Sequence, residues 1–144
     1  MKKSPNTNAI NAPEKRYLYV AISQLQNAGK GLFTAIDIYK DEVIATFKGE
    51  MLTNIQATNR AKKGNDQYFI AMLDGSIMDS LNSKCFAKYA NDAMGLTPAV
   101  FKNNSRIALD ENDQVCIIAT KKIKAGEEVF CGYGKRYWKK YQNP

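Results

Sequence analysis

Gly126-Glu127-Glu128-Val129-Phe130-Cys131-Gly132-Tyr133-Gly134 sets two glycines about a single tyrosine, and Lys135-Arg136-Tyr137-Trp138 follows at once. Glycine reaches backbone angles that other residues avoid and lets a second molecule come close to the main chain. Tyr133 between two of them reads either as a hydroxyl presented into a site or as a packed residue of a Gly-rich turn. The rest of the chain decides between the two.

Working outward, Glu128-Val129-Phe130 has strand character, and so do several earlier runs. Tyr17 to Ile22, Leu32 to Ala35, Val43 to Phe47, Tyr68 to Leu73 and Val115 to Thr120 carry aromatic and β-branched residues, and Ser105 to Leu109 follows the Asn103-Asn104 turn. Turn chemistry separates them: Asn27-Ala28-Gly29-Lys30-Gly31, Tyr39 to Glu42, Lys48-Gly49-Glu50, Asp74-Gly75 and the hairpin turn Asp110 to Asp113. Short strands at a spacing of about 8–12 residues predict small curved β-sheets, not a βαβ array. One helix is predicted from a Thr53 or Asn54 cap to Lys63, before Gly64. A short helix is expected within 80–90, and another turn of helix over Tyr137 to Tyr141. The fold class read from this is mainly β with short helices.

Residues 1–14 are polar, Asn-rich and twice broken by proline, so 1–16 is expected to be a flexible leader and 17–144 a single domain. No apolar run approaches the roughly 18–20 residues that a membrane-spanning helix needs. Cys85, Cys116 and Cys131 show no paired spacing, which predicts free thiols in a reducing, cytoplasmic setting. The chain has no histidine. That excludes Ser-His-Asp and Cys-His catalysis and any zinc site built on imidazole, and three scattered cysteines cannot complete a four-thiolate site, so no metal is expected. The formal net charge of +7 sits at the ends, with the body close to neutral. Basic ends imply either solubility or contact with a polyanion such as nucleic acid.

Four pieces in one order then carry an identification: Asn27 to Phe33, Tyr68 to Asp79, Ala87-Lys88-Tyr89-Ala90-Asn91, and Gly126 to Gly134. Together, over residues 17 to about 138, they resemble the SET-domain protein lysine methyltransferases, in a minimal form without the flanking cysteine-rich zinc segments. Lys88-Tyr89-Ala90-Asn91 stands where the family has Arg-Phe-Ile-Asn. Asn104 resembles the asparagine that begins the next strand, and 126–134 resembles the Gly-Glu-Glu-Leu-x-x-x-Tyr ending. The resemblance implies a SET fold in which the segment around Tyr133 threads beneath the loop near Asn91 as a pseudoknot. It also implies S-adenosylmethionine as cofactor, S-adenosylhomocysteine as product, and a lysine-containing protein as substrate.

By the same resemblance, Tyr133 is the catalytic residue and Tyr68 a second tyrosine of the lysine channel, unless Tyr68 is packed as strand tyrosines usually are. Gly29, Lys30 and Gly31 would lay main-chain groups on the cofactor, with Lys30 alternatively a solvated turn residue. Asn91 would hydrogen-bond the cofactor or cap its own loop. Trp138 would cover the adenine or plug the core from a C-terminal helix. Two departures stand out. Asp92 replaces the family's histidine, leaving a main-chain contact to adenine but no imidazole. Cys131, two residues before Tyr133, is smaller than the usual Phe or Tyr of the channel, which predicts room for di- or trimethyl-lysine. The competing reading is an inactive SET-fold binding module that holds protein or nucleic acid through its basic ends.

Overall fold

A computed structural model describes residues 9–72, 74–95 and 100–132. Ten short strands form three small sheets among these residues. β1 (Leu18–Ile22) and β2 (Lys30–Thr34) are an antiparallel pair running from Leu18 opposite Thr34 to Ile22 opposite Lys30. β9 (Glu128–Val129) joins the free edge of β2, with Leu32 opposite Val129 and Phe33 opposite Glu128. The second sheet has the order β10 (Cys131–Gly132), β7 (Ser105–Leu109), β8 (Val115–Ala119) and β3 (Val43–Thr46). The third is β4 (Glu50–Leu52), β6 (Ile77–Asp79) and β5 (Phe69–Ala71).

β8 is central to the second sheet and buried along its whole length, which is why Val-Cys-Ile-Ile-Ala has no polar alternation. Val115, Ile117 and Ala119 face the main core with Leu32, Ile38, Ile44, Ile123 and Val129. Cys116 and Ile118 point the other way, into a smaller cluster with Ala108 and Val43. The hairpin from β7 to β8 turns where the sequence places it. The Asp110 carboxylate accepts the N–H groups of Asn112 and Gln114, and Asp113 takes φ 60°.

The predicted helix is α2 (Asn54–Lys62), after α1 (Glu14–Tyr17). Thr53 caps α2 through a reciprocal box with Gln56, satisfying two donors that the first turn leaves unpaired. Arg60 then reaches from α2 to Glu50 at 3.0 Å and to the buried Asp79 at 2.9 Å, tying the helix across the third sheet. The expected helix within 80–90 is a 3₁₀ turn at Ala87–Tyr89.

The first strand begins one residue late, because Tyr17 closes α1 and sends its hydroxyl to the Ile44 carbonyl at 2.7 Å. The part of the expected leader that is described, residues 9–16, is attached to the domain. Ala9 bridges Val43 in parallel, and the Glu14 carboxylate accepts the Thr46 N–H. Composition signalled a loose segment, and the unpaired edge of β3 supplies the partner that composition cannot show. The expected helical turn at 137–141 lies outside the described residues.

Candidate cofactor and substrate site

Three segments far apart in sequence meet at Asn91. Its backbone bridges Phe130 in parallel, and its carbonyl accepts the Cys131 N–H at 2.9 Å. Its side-chain Nδ2 donates to the Lys30 carbonyl at 3.0 Å. The chain leaving β9 therefore runs between the Asn91 loop and β7, where Cys131 pairs with Ser105 and Gly132 with Arg106. That course is pinned by Asn104. Its Nδ2 donates to the Glu128 carbonyl and its Oδ1 accepts the Phe130 N–H, each at 2.9 Å. The Phe130 carbonyl in turn takes the Asn104 and Ser105 N–H groups and the Ser105 hydroxyl.

The glycine turn is shaped from behind. Gly29 has φ +71°, which a side chain would resist, and a Cβ there would meet nothing within 4 Å, so the turn is open on that side. Gly31 is the reverse: a Cβ would fall onto the Glu128 carboxylate, and the backbone lies against that group because no side chain intervenes. Glu128 is 2% exposed. Its two oxygens accept the Ser23 hydroxyl at 2.7 Å and the Gln24 N–H at 2.8 Å. Ser23 closes the circuit, since its N–H donates to the Gly29 carbonyl and its Oγ accepts the Leu25 N–H.

Asp92 is buried, and its side chain is committed to its own loop. Oδ1 accepts the Met94 N–H and the Asn103 Nδ2, while Asn103 Oδ1 accepts the Ala93 N–H. Any contact of Asp92 with a ligand on the Asn91 side thus falls to its main chain.

Tyr68 lies just before β5 and packs edge-on against Tyr89, ring centres 6.5 Å apart. Lys88 Nζ stands 5.4 Å from the Tyr68 ring centre and 5.3 Å from that of Tyr89. The ammonium also donates to the carbonyls of Ser80, Leu81 and Ser83 at 3.2, 3.1 and 2.9 Å, which uses all three of its donors. Burial, aided by Tyr89, holds the Tyr68 phenol above its ordinary value. Cys131 is fully buried in the main core, and burial pushes its thiol well up. A separate cavity of about 980 Å³ opens between residues 9–17, β3 and the 81–89 turn, lined by Tyr17, Cys85, Lys88 and Tyr89 among others. Neither the glycine turn nor Asn91 lines it.

Of the residues expected at the site, Gly29, Lys30, Gly31 and Asn91 are thus brought together, with Cys131 bonded to Asn91 through its N–H. Tyr68 packs with Tyr89 and Lys88, which lie on the 3₁₀ turn that leads into Asn91. Tyr133 and Trp138 lie outside the described residues. Sequence reasoning passed over Ser23 and the Glu128 side chain. The available signal was a glutamate inside a run whose neighbours Val129 and Phe130 are core residues. Among the described residues no cluster of His, Cys, Asp or Glu could hold a metal ion.

The SET-domain profile matches residues 29–134, running from the glycine turn to the residue after Tyr133. The chain belongs to the SET-domain family. It is 28% identical over 127 residues to histone-lysine N-methyltransferase EZH2 of Chaetomium thermophilum, a match covering 80% of this chain and 8% of that protein. To human histone-lysine N-methyltransferase 2D it is 24% identical over 135 residues, covering 91% of this chain and 2% of that protein. The SET chain thus spans less than a tenth of these relatives. Among solved structures, the C. thermophilum polycomb repressive complex 2 superposes with TM-score 0.70 at 27% identity, over 82% of this chain and 15% of that one. The same complex in an autoinhibited conformation bound to S-adenosylmethionine gives TM-score 0.66 at 25% identity, over 88% of this chain and 17% of that one. These neighbours share the mainly β SET architecture.

Proposed function

We propose that this SET-domain chain is an S-adenosylmethionine-dependent protein-lysine N-methyltransferase. The observation that carries the reading is the double engagement of Asn91, which ties the Lys30 carbonyl to the strand entering Tyr133. The residues present fit the cofactor. An open glycine turn offers main-chain groups, Asn91 fixes one of its carbonyls, and a buried carboxylate lies behind Gly31. Gly29, Lys30, Gly31, Asn91 and the main chain of Asp92 would hold it, and Trp138 would cover its adenine.

When bound, S-adenosylmethionine supplies an electrophilic methyl group on a sulfonium and leaves as neutral S-adenosylhomocysteine. The chain's own contribution is alignment and electrostatics, which a direct displacement needs and for which histidine and metal are dispensable. An acceptor lysine has a reference pKa of about 10.4, so presenting it neutral near pH 7 costs roughly 4–5 kcal/mol without help. Desolvation among aromatic side chains reduces that cost. Tyr68 suits this role because a tyrosine phenol is uncharged near pH 7 and does not stabilise an ammonium as a phenolate would, and burial raises its pKa further. Tyr133 would orient the amine at the reacting methyl. Cys131, in place of a bulky ring, would leave room for a second and third methyl.

The substrate we propose is a lysine of a basic, histone-like or DNA-associated protein, since both relatives are histone-lysine methyltransferases by name. The free, buried thiols Cys85, Cys116 and Cys131 support a reducing compartment, which we take to be the cytoplasm. Incubation with radiolabelled cofactor and core histones or whole-cell protein tests the reading. Wild type should label a protein on lysine, and Tyr133→Phe should bind the cofactor yet transfer poorly. Cofactor binding without transfer to any protein would instead leave a non-catalytic binding module. No cofactor binding at millimolar concentration would refute both.

A further inference from the structure

The carboxylate of Glu128 is buried at 2% exposure, and its partners among the described residues are a hydroxyl and a backbone N–H, neither of them a cation. A buried carboxylate without a counter-charge is costly even when hydrogen-bonded. It lies directly behind Gly31, so close that a methyl on that residue would overlap it. Two residues earlier in the same turn, the backbone at Gly29 faces open space. A ligand laid on the main chain of residues 29–31 therefore rests on a backbone that, at Gly31, lies directly against this buried carboxylate, and little water can screen the two from each other. The loop 23–25 and the Asn104 clamp hold that charge in place.

We propose that Glu128 is a specificity-determining residue, the counter-charge by which this site favours the sulfonium of S-adenosylmethionine over its neutral thioether product. The inference rests on the methyltransferase reading and adds to it a source of product release. Once the methyl has left, the ligand loses the positive charge that Glu128 attracts, while every neutral contact is retained. Selectivity then comes from behind the turn, from a residue that touches no part of the ligand.

Calorimetry with three ligands tests this directly. The probes are S-adenosylmethionine, S-adenosylhomocysteine, and sinefungin, which carries an amine where the sulfonium stands. Glu128→Gln keeps the shape and an acceptor for the Gln24 N–H, with the amide NH2 donating to the Ser23 Oγ in place of the bond that the carboxylate accepts, so its main change is the lost charge. Its affinity for S-adenosylmethionine and sinefungin should fall at least tenfold more than its affinity for S-adenosylhomocysteine, because a unit charge even about 12 Å away contributes that much at an effective dielectric constant of about 20. Ser23→Ala, which leaves the charge, should change all three affinities by the same factor. An equal loss for all three ligands in Glu128→Gln would overturn the proposal and make Glu128 merely structural. Should that variant fail to fold, Glu128→Asp draws the charge back by one methylene and should narrow the preference. A folded Glu128→Asp with the wild-type ratio would equally overturn it. Wild type binding none of the three would instead sink the methyltransferase reading itself.

Discussion

Gly31→Ala puts the packing behind the glycine turn to a quantitative test. The added Cβ would overlap the Glu128 carboxylate and stand 2.9 Å from its Cδ and 3.1 Å from Ser23 Cβ. Gly31 does not occupy the left-handed region, so alanine brings no backbone strain and the effect is purely steric. The carboxylate can yield only by weakening its bonds to Ser23 and Gln24. Overpacking of this kind costs about 1–3 kcal/mol, and a hydrogen bond to a charged group contributes about 1.5–3 kcal/mol. A loss near 3 kcal/mol is expected, equivalent to about 10 °C in Tm for a domain of this size. The decisive arm is the double-mutant cycle with Glu128→Ala. That change removes the obstacle, so the alanine methyl enters vacated space and the double variant should be little worse than Glu128→Ala alone. A coupling of about 2 kcal/mol in urea unfolding is the expected result. Additive costs, or a Gly31→Ala protein melting within a degree of wild type, would show that this backbone does not press on the carboxylate.

Other expectations are simpler to state. Burial, the largest influence, raises the Glu14 pKa, with the Thr46 N–H and Lys48 opposing it. A carboxyl raised in the folded state contributes stability that is full below its unfolded pKa and is lost as pH climbs through the folded value. Glu14→Gln, which retains an acceptor for Thr46, should therefore gain on wild type between pH 4 and 7 in thermal melts, and a constant difference would refute this. The Cys116 thiol is pushed up to about 12 and that of Cys131 still further, both by burial, so native protein at pH 8 should resist Ellman's reagent at both sites. Rapid labelling of either before unfolding would contradict the burial. Arg60→Met should lower Tm more than Glu50→Gln, because it strands the buried Asp79 carboxylate whereas Glu50 is exposed. Cys131→Phe should cost about 1–3 kcal/mol by overpacking and shift products toward monomethyl-lysine, read by mass spectrometry. An unchanged product distribution in a folded, active variant would end the assignment of Cys131 to the channel.

What the sequence made legible, and what it hid, divides along a physical line. Strands, turns and the capped helix are short-range events, and their signals are local: Thr53 with Gln56, Asp110 at its hairpin, the unbroken apolar run of β8. The grouping of Gly29–Gly31 with Asn91 was reached through resemblance to a family, since nothing local in either segment points at the other. The contacts that make the grouping work escaped for the same reason. Ser23 bonds a residue 105 positions away, and Asn104 staples a strand that begins 24 residues later. Serine and asparagine are common turn residues, so their identities carry no trace of such partners. Glu128 was hidden by a different effect. A charged residue is assumed to face water, and its burial is tolerated here only because Gly31 lacks a side chain and the 23–24 loop supplies two donors. The same circumstance makes it informative: a buried charge is retained against its desolvation cost either to fix a geometry or to meet an opposite charge. The ligand series on Glu128→Gln separates those two roles, because a geometric role is blind to the charge of the ligand and an electrostatic one is not.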